Sequence, residues 1–215
     1  MSSFYTSVER YANSILWRGY ENGKRFERKV KYSPTLFISG KKDTETQYKS
    51  LVNGRPLSPI KMDTMREAKD WIEQYKDVHG MQIAGSTNYV AQFIQEKYPN
   101  KVEFDITKIN IASFDIEVDI SDGYPDMNLA DKEITSIAYK SSKSNDYHLL
   151  GRKDYDKSKT LLDIDPDNIH FMKFDTEEAL LRRFKQLWMN DYPDIVTGWN
   201  VAYFDIQYIV TRMSR

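Results

Sequence analysis

The stretch IASFDIEVDI, residues 111–120, decides how the second half of this chain folds. Its apolar side chains alternate with polar ones, which is the pattern of a β-strand buried on one face. Asp115 and Glu117 stand two positions apart, so both project from the same face, roughly 7 Å apart along the strand. Their mutual repulsion would be relieved by a divalent cation with oxygen ligands, such as Mg²⁺ or Mn²⁺. The alternative is an amphipathic strand whose acids face water.

An acidic-x-acidic pattern is weak evidence by itself. With 32 acidic residues in 215, about five such pairs arise by chance. We interpret two others, Asp154/Asp156 and Asp163/Asp165, as solvated loops. Asp115 and Glu117 differ because apolar residues flank them on the other face of the strand.

Composition restricts the class of protein. The chain is 40% hydrophobic and has a formal net charge of −1, which indicates a folded protein that does not coat nucleic acid by bulk charge. The absence of cysteine excludes disulfides, thiolate metal ligands and cysteine nucleophiles. Residues 1–14 lack an apolar signal region, and no apolar run reaches the ~18 residues of a membrane span. We therefore expect a cytoplasmic protein without a membrane partner.

A change of character near residue 105 predicts two domains, 1–105 and 106–215. The first is strand-rich, with a turn at Asn22-Gly23, a strand pair interrupted by Pro34, and a hairpin tip within 41–59. A helix capped by Asp63 or Thr64 and a short helix within 88–98 should follow. The remaining predicted strands of this half lie at 3–11, 14–20 and 82–84.

The second half reads as α/β, with a strand at 108–120. Asp175 and Glu178 resemble a capping box that starts a helix with one apolar face. We predict a short buried strand at 194–200 and a last helix at 203–213. Further strands are expected at 133–141, 146–152 and 169–175.

A second motif, TGWNVAYFD at 197–205, places Asn200 after a strand and Asp205 at the start of the next helix. Strand ends that lead into helices are where α/β folds place their sites. The alternative is ordinary capping, with Asn200 in a turn and Asp205 on a solvated helix face.

The two motifs, FDIEV at 114–118 and TGWNVAYFD at 197–205, together resemble the 3′→5′ proofreading exonuclease domain of family B DNA polymerases. Within that family, the chain looks most like the replicative polymerases of T-even-type bacteriophages. The resemblance covers nearly the whole chain, because residues 3–37 are similar to the amino-terminal domain of those polymerases. It implies a strand-rich N-terminal domain followed by a ribonuclease H-like exonuclease domain, with Asp115 and Glu117 on the central strand.

The resemblance also implies roles for individual residues. Asp115, Glu117 and Asp205 would be catalytic metal ligands: Asp115 bridging two Mg²⁺ or Mn²⁺ ions, Glu117 serving the metal that activates water, and Asp205 holding the metal on the leaving-group side. Two cations roughly 3.5–4 Å apart clamp the attacking and departing oxygens. Asn200 would orient the loop or contact DNA, Tyr203 would touch the 3′ nucleotide, and Phe204 would pack beside them.

The chain departs from the family pattern at the third exonuclease motif, Y-x-x-x-D. Tyr155-Asp156 and Tyr192-Pro193-Asp194 have the wrong spacing, and no polymerase palm, fingers or thumb is present. We expect an expressed fragment or a split-gene product that needs its other half. A complete two-metal site is expected only in the full domain, so this chain alone should be almost inactive.

Three functions therefore compete. The first is the front portion of a DNA-directed DNA polymerase acting on single-stranded 3′ ends in an infected host. The second is a non-catalytic nucleic-acid-binding module, and the third is an assembly half that completes a separate polypeptide. The second is suggested by basic residues interleaved with aromatics, which suit stacking on single-stranded RNA. These residues are Arg10, Arg18, Lys24, Arg25, Arg28, Lys29 and Lys31, among Tyr5, Tyr11, Trp17, Tyr20 and Tyr32.

Overall fold

A computed structural model describes residues 3–39, 46–85, 87–161 and 163–215. The chain divides into two compact units, Met1–Asp105 and Ile106–Arg215. Both units combine a sheet with packed helices, so the predicted mixed α/β class is confirmed. None of the helices in the described ranges has the length and apolar character needed to cross a lipid bilayer.

The first unit begins with an antiparallel three-stranded sheet. Its turns use left-handed backbone, with φ of 51° at Ala12, 53° at Asn22 and 74° at Gly23. Two consecutive positive φ values at Asn22-Gly23 form the tight connection that the sequence predicts. The strands are β1 Ser3–Tyr11, β2 Ser14–Glu21 and β3 Lys24–Lys31.

A second small sheet contains β4 Thr35–Ser39, β5 Leu57–Lys61 and β6 Ile83–Ala84, in the order β5-β4-β6. The prediction of a strand pair around Pro34 is wrong in one respect, because β3 and β4 belong to different sheets. Within the predicted hairpin tip, a turn forms at Asn53-Gly54, where the Gly54 N–H donates to the Ser50 carbonyl. Residues 41–45 of the predicted hairpin tip lie outside the described residues.

Two helices cover this unit, α1 Met65–Tyr75 and α2 Tyr89–Lys97. Thr64 is the N-cap of α1, and its hydroxyl accepts a hydrogen bond from the Glu67 N–H. The Glu67 carboxylate in turn accepts a hydrogen bond from the Asp63 N–H. This reciprocal arrangement satisfies two backbone donors at the helix start. Met65, Ala68 and Phe93 bury their side chains against the strands.

The second unit contains a five-stranded mixed sheet in the order β10-β9-β8-β7-β11. The strand β8 pairs antiparallel with both β7 and β9. The strand β10 pairs in parallel with β9, and β11 pairs in parallel with β7. The long connections before β10 and β11 allow these parallel pairings. The strands are β7 Ile111–Val118, β8 Ile134–Ser141, β9 Tyr147–Gly151, β10 Ile169–Lys173 and β11 Ile195–Thr197.

Two predictions about this sheet are wrong. The strand with Asp115 and Glu117, β7, lies beside the edge strand and is not the central strand, which is β8. The strand β11 is not buried: it has three residues and forms the sheet edge, with Ile195 exposed. A continuous apolar run identifies a strand but does not reveal whether a second neighbour covers it.

Helices α3 Glu177–Asp191 and α4 Asp205–Met213 pack on one face of the sheet. The N-cap of α3 is Thr176, whose hydroxyl accepts from the Ala179 N–H, rather than the predicted Asp175. The predicted apolar face of α3 is confirmed, because Leu180 and Phe184 are buried in the core that lies under β7 and β8.

A half-buried ion pair ties α4 to α3. Arg212 donates from Nε and Nη2 to the two carboxylate oxygens of Glu177, at 2.8 and 2.7 Å, and from Nη1 to the Ala130 carbonyl. Glu177 also accepts from the Ile134 N–H, at 2.8 Å. The side chains are 19% and 14% exposed, so water screens this pair little.

We expect Arg212→Ala to lower the free energy of unfolding by about 3 kcal/mol, because it leaves the Glu177 charge half-buried and unpaired. The urea unfolding midpoint would measure the loss. Arg182→Ala is the matched control, since Arg182 pairs with Glu178 on the same helix at 70% and 79% exposure. That change should cost about 0.5 kcal/mol. Equal losses in the two variants would contradict this role of Arg212.

Candidate active site

The two faces of β7 differ sharply. Phe114 and Ile116 are buried in the core under the helices, while Asp115 and Glu117 are exposed on the opposite face. This is the alternation that the sequence predicts for one half-buried strand. Asp115 also lines an open cavity of about 410 Å³ beside Gly198.

The outer edge of β7 is only partly covered. The strand β11 pairs with Ile111–Ser113 and then ends at Thr197, so β7 has no strand neighbour on this side beyond Ser113. The N–H of Ile116 lies beyond the part of β7 that pairs with β11 and donates instead to Oδ1 of Asp205, at 3.0 Å. Asp205 therefore reaches the strand that carries Asp115, although 89 residues separate it from Ile116.

Asp205 is a buried carboxylate, with 3% of its surface exposed. Burial raises the pKa of Asp205, and the negative charge of Asp115 raises it further; hydrogen bonds from the N–H groups of Ile116 and of Asp205 itself oppose this. The resulting pKa lies above the ordinary value of 3.8. The alternative that placed Asp205 on a solvated helix face is therefore wrong.

A tight turn brings the second motif against β7. A Cβ atom on Gly198 would lie 2.5 Å from the Phe114 carbonyl oxygen, so only glycine allows this approach. Asn200 follows with a left-handed φ of 56°, a conformation that asparagine tolerates better than most residues. Its carbonyl accepts from the N–H groups of Tyr203 and Phe204 and so leads into α4.

The three residues that the resemblance assigns to the DNA-binding turn, Asn200, Tyr203 and Phe204, occupy different positions. Asn200 and Tyr203 are exposed, Tyr203 at 76%. Phe204 is half-buried and stacks on Tyr208, with 5.2 Å between the ring centroids. Tyr203 is thus free to contact a ligand, whereas Phe204 packs the start of α4.

Trp199 is a residue that the sequence analysis passed over. It follows Gly198 in the same turn and is 91% exposed. A tryptophan normally buries much of its surface. Its position in a polar turn of the second motif could therefore have marked Trp199 as a candidate contact residue. Trp199 and Tyr203 give this turn two exposed aromatic rings, which suit stacking on nucleobases.

Among the described residues, the structure does not bring the three predicted metal ligands, Asp115, Glu117 and Asp205, together as one metal-binding group. The negative charge of Asp115 acts on Asp205. No described lysine or arginine forms an ion pair with Asp115, Glu117 or Asp205. However, the described part of the chain contains no group of three His, Asp or Glu side chains close enough to hold a metal ion. Carboxylate oxygens are the ligand type that hard divalent cations prefer.

Comparison with known proteins gives two findings. Residues 69–215 match the family model described as DNA polymerase family B, exonuclease domain. The DNA-directed DNA polymerase of Escherichia phage RB69 is 30% identical over 100% of this chain and 26% of its own length. That of Enterobacteria phage T4 is 31% identical over 100% of this chain and 25% of its own length. The chain thus spans about a quarter of these curated relatives.

Proposed function

Because the chain belongs to the exonuclease-domain family of family B DNA polymerases, which has a ribonuclease H-like fold, we propose that it carries part of a metal-dependent 3′→5′ proofreading site. Residues 106–215 would be the partial exonuclease domain, and residues 1–105 the N-terminal domain of the polymerase. The substrate would be a single-stranded DNA 3′ end, in the cytoplasm of an infected bacterium. The phage origin of both relatives supports this setting.

The observation that carries this proposal is the position of the buried Asp205, whose carboxylate accepts from the Ile116 N–H on the strand that carries Asp115. A buried aspartate whose pKa is raised by burial and by the charge of a second carboxylate raises the free energy of the folded chain. Such an arrangement is typical of functional sites, where charges are held ready for a ligand. Both residues belong to the two motifs that resemble the exonuclease family, so chemistry and sequence support the same site.

Asp115, Glu117 and Asp205 would hold the divalent cations, Mg²⁺ or Mn²⁺. When bound, these ions neutralise the charge of the scissile phosphate and lower the pKa of a coordinated water. Asp205 contributes rigidity, because its hydrogen bond to the Ile116 N–H fixes one carboxylate oxygen beside β7. The exposed rings of Trp199 and Tyr203 would stack on the terminal nucleotides, and Asn200 would hold the turn that positions them.

Metal binding can be tested without activity. We expect Mn²⁺ to broaden the backbone NMR signals of residues 114–118 and 204–206, with an affinity of about 1 mM because the ligand set is incomplete. Excess Mg²⁺ should reverse the broadening. Asp115→Ala should abolish it, and Asp163→Ala, in an exposed loop with the same acidic-x-acidic pattern, should leave it unchanged. Micromolar affinity that survives Asp115→Ala would place the metal elsewhere.

A groove between α3 and α4 supports the proposal that a further polymerase segment packs against this chain. Among the apolar side chains of α4, Ile209 is buried and Ile206 is half-buried, but Val210 is 61% and Met213 40% exposed. Val210 and Met213 line the groove together with side chains of β7 and α3. These are Phe114, Phe184, Lys185 and Trp188. We propose that the remaining polymerase polypeptide packs here, because uncovered apolar surface favours association.

One observation favours the second candidate, a nucleic-acid-binding role of the first unit. Tyr11 is 55% exposed, and the Lys29 ammonium lies 4.4 Å from its ring centroid. Other predicted cations are already paired, since Arg18 contacts Glu27 at 2.6 Å and Arg28 contacts Glu21 at 2.7 Å. Internal pairing reduces the charge available to a phosphate backbone. Direct binding of labelled RNA by the 215-residue chain would favour this candidate over the nuclease.

A further inference from the structure

A cluster of basic side chains lies at the edge of the five-stranded sheet opposite β11. His148 of β9 and His170 of β10 are register partners, and their rings stack with 5.7 Å between centroids. Together with Arg183 of α3 and Lys157 they line an open cavity of about 730 Å³. This volume lies within the range of sites for small ligands.

The cavity lies apart from the candidate active site. His148 pairs across the strands with Tyr139, and Tyr139 pairs with Phe114, so all three project from the face covered by α3. Asp115 projects from the opposite face, and β9 is separated from β7 by the intervening strand β8. The chemistry of this cavity therefore needs its own explanation.

Two buried nitrogen atoms in this cavity have no hydrogen-bond partner. They are Nδ1 of His148 and Nε of Arg183. Buried polar atoms are nearly always hydrogen-bonded, and an orphaned one is costly unless a ligand or water meets it. An arginine nitrogen can only donate, and a protonated imidazole donates from both nitrogens. Both atoms therefore suit an acceptor with negative charge.

One carboxylate, that of Asp146, also lines the cavity, and it already has partners there. The Asp146 carboxylate contacts Nε2 of His170 at 2.9 Å and accepts from the Ser144 hydroxyl at 2.6 Å. Asp191 accepts from the Tyr139 hydroxyl at 3.0 Å. Lys157 donates to the Pro166 carbonyl at 3.0 Å and, as an ammonium, retains further donors. No described carboxylate forms an ion pair with Arg183 or Lys157. These two positive charges disfavour a cation in the cavity and favour an anion.

We propose that His148, His170, Arg183 and Lys157 form a binding site for a phosphate group. Arginine and lysine are the side chains that recognise phosphate oxygens most often, by charge-assisted hydrogen bonds. The phosphate could be carried by a nucleoside monophosphate or be inorganic, since both present the same oxygen atoms. The proposal is independent of the exonuclease activity proposed above.

Proton uptake should accompany binding. Burial lowers the pKa of His148, and the charges of His170 and Arg183 lower it further, against the opposite effects of Asp146 and Asp191. His148 is therefore mostly neutral near pH 7 in the free protein. An anion beside the ring favours its protonated form, so a bound phosphate raises this pKa. Titration of the histidine ring signals by NMR reports the change directly.

The test uses the 215-residue chain with inorganic phosphate, a deoxyribonucleoside monophosphate and the matching nucleoside, followed by NMR of the histidine rings near pH 6.5. Phosphate and monophosphate should shift the His148 and His170 signals and raise the pKa of His148, whereas the nucleoside should not. Tighter binding of the monophosphate identifies a nucleotide ligand, and equal binding identifies the phosphate alone. No shift with either phosphate compound, or an equal shift with the nucleoside, would overturn the proposal.

Two variants localise the site. Arg183→Gln should weaken phosphate binding about tenfold or more, the value of one charge-assisted hydrogen bond. Arg182→Gln, at the neighbouring exposed position of α3, should leave binding unchanged. His148→Asn provides an independent variant, with the His170 signal as the readout. Unchanged binding in both Arg183→Gln and His148→Asn would refute the assignment.

Discussion

Replacing Asp115 by alanine is expected to abolish exonuclease activity in the reassembled polymerase, by about a thousandfold or more. The chain alone should be almost inactive, because the described residues contain no three-carboxylate group and the sequence contains no Y-x-x-x-D motif. Losing one preorganised electrostatic group costs about 10²–10³ in rate, and here at least one ligand is lacking. Supplying a polypeptide with the remaining polymerase sequence should restore degradation of single-stranded DNA with Mg²⁺.

The measurement is release of labelled 3′ nucleotides, with and without that second polypeptide. Asp163→Ala serves as control, since Asp163 belongs to an acidic-x-acidic pair in an exposed loop and should leave restored activity intact. Two outcomes would contradict the proposal. Activity of the 215-residue chain alone that depends on Asp115 would show the site to be complete. Restored activity that persists in Asp115→Ala would make this chain an assembly partner without a catalytic role.

Local sequence patterns were sufficient for much of the second unit. The alternation in residues 111–120 predicted the buried and exposed faces of β7, and the helical spacing around Phe184 predicted the core face of α3. Such patterns depend only on neighbouring residues and on one buried face. The helix cap shows their limit, because Asp175 and Thr176 are both good caps. Thr176 has extended backbone angles, φ −131° and ψ 147°, and so takes the N-cap position.

Long-range features were not accessible in the same way. The burial of Asp205 depends on the early end of β11, which leaves the Ile116 N–H free. Strand length and sheet order result from pairings between distant segments, which a period of two residues cannot encode. The stacking of His148 on His170 has the same origin, since it needs the parallel pairing of β9 with β10. The motifs identified candidate residues, and the topology decides which of them meet.

The substitution Asp205→Asn is expected to stabilise the folded chain while removing its function. Asparagine keeps the size of the side chain and an oxygen that can accept from the Ile116 N–H, but it carries no charge. The pKa of Asp205 is raised in the folded state by burial and by Asp115, so the folded protein binds this proton more tightly than the unfolded chain. The stability linked to this proton is present at low pH and is lost as the pH rises through the folded pKa.

At neutral pH, Asp205→Asn should therefore raise the free energy of unfolding by about 1 kcal/mol, typical of stabilising changes at functional sites. Urea unfolding without divalent cations would measure this, and the gain should shrink as the pH falls towards about 4, where aspartate is ordinarily half protonated. Asp167→Asn, at an exposed position, should change stability by less than about 0.5 kcal/mol.

The same variant separates a structural role of Asp205 from a functional one. If the carboxylate served only to accept from Ile116, asparagine would replace it and the reassembled polymerase would retain its exonuclease. If it is a metal ligand, Asp205→Asn should lose exonuclease activity by about 10²–10³-fold, and millimolar Mn²⁺ should stabilise the original chain but not the variant, because a ligand that binds only the folded state raises its stability. A less stable Asp205→Asn chain would show that the charge itself supports the fold. Retained activity in a more stable variant would remove Asp205 from the catalytic site and leave Asp115 and Glu117 to hold the metal with residues from elsewhere.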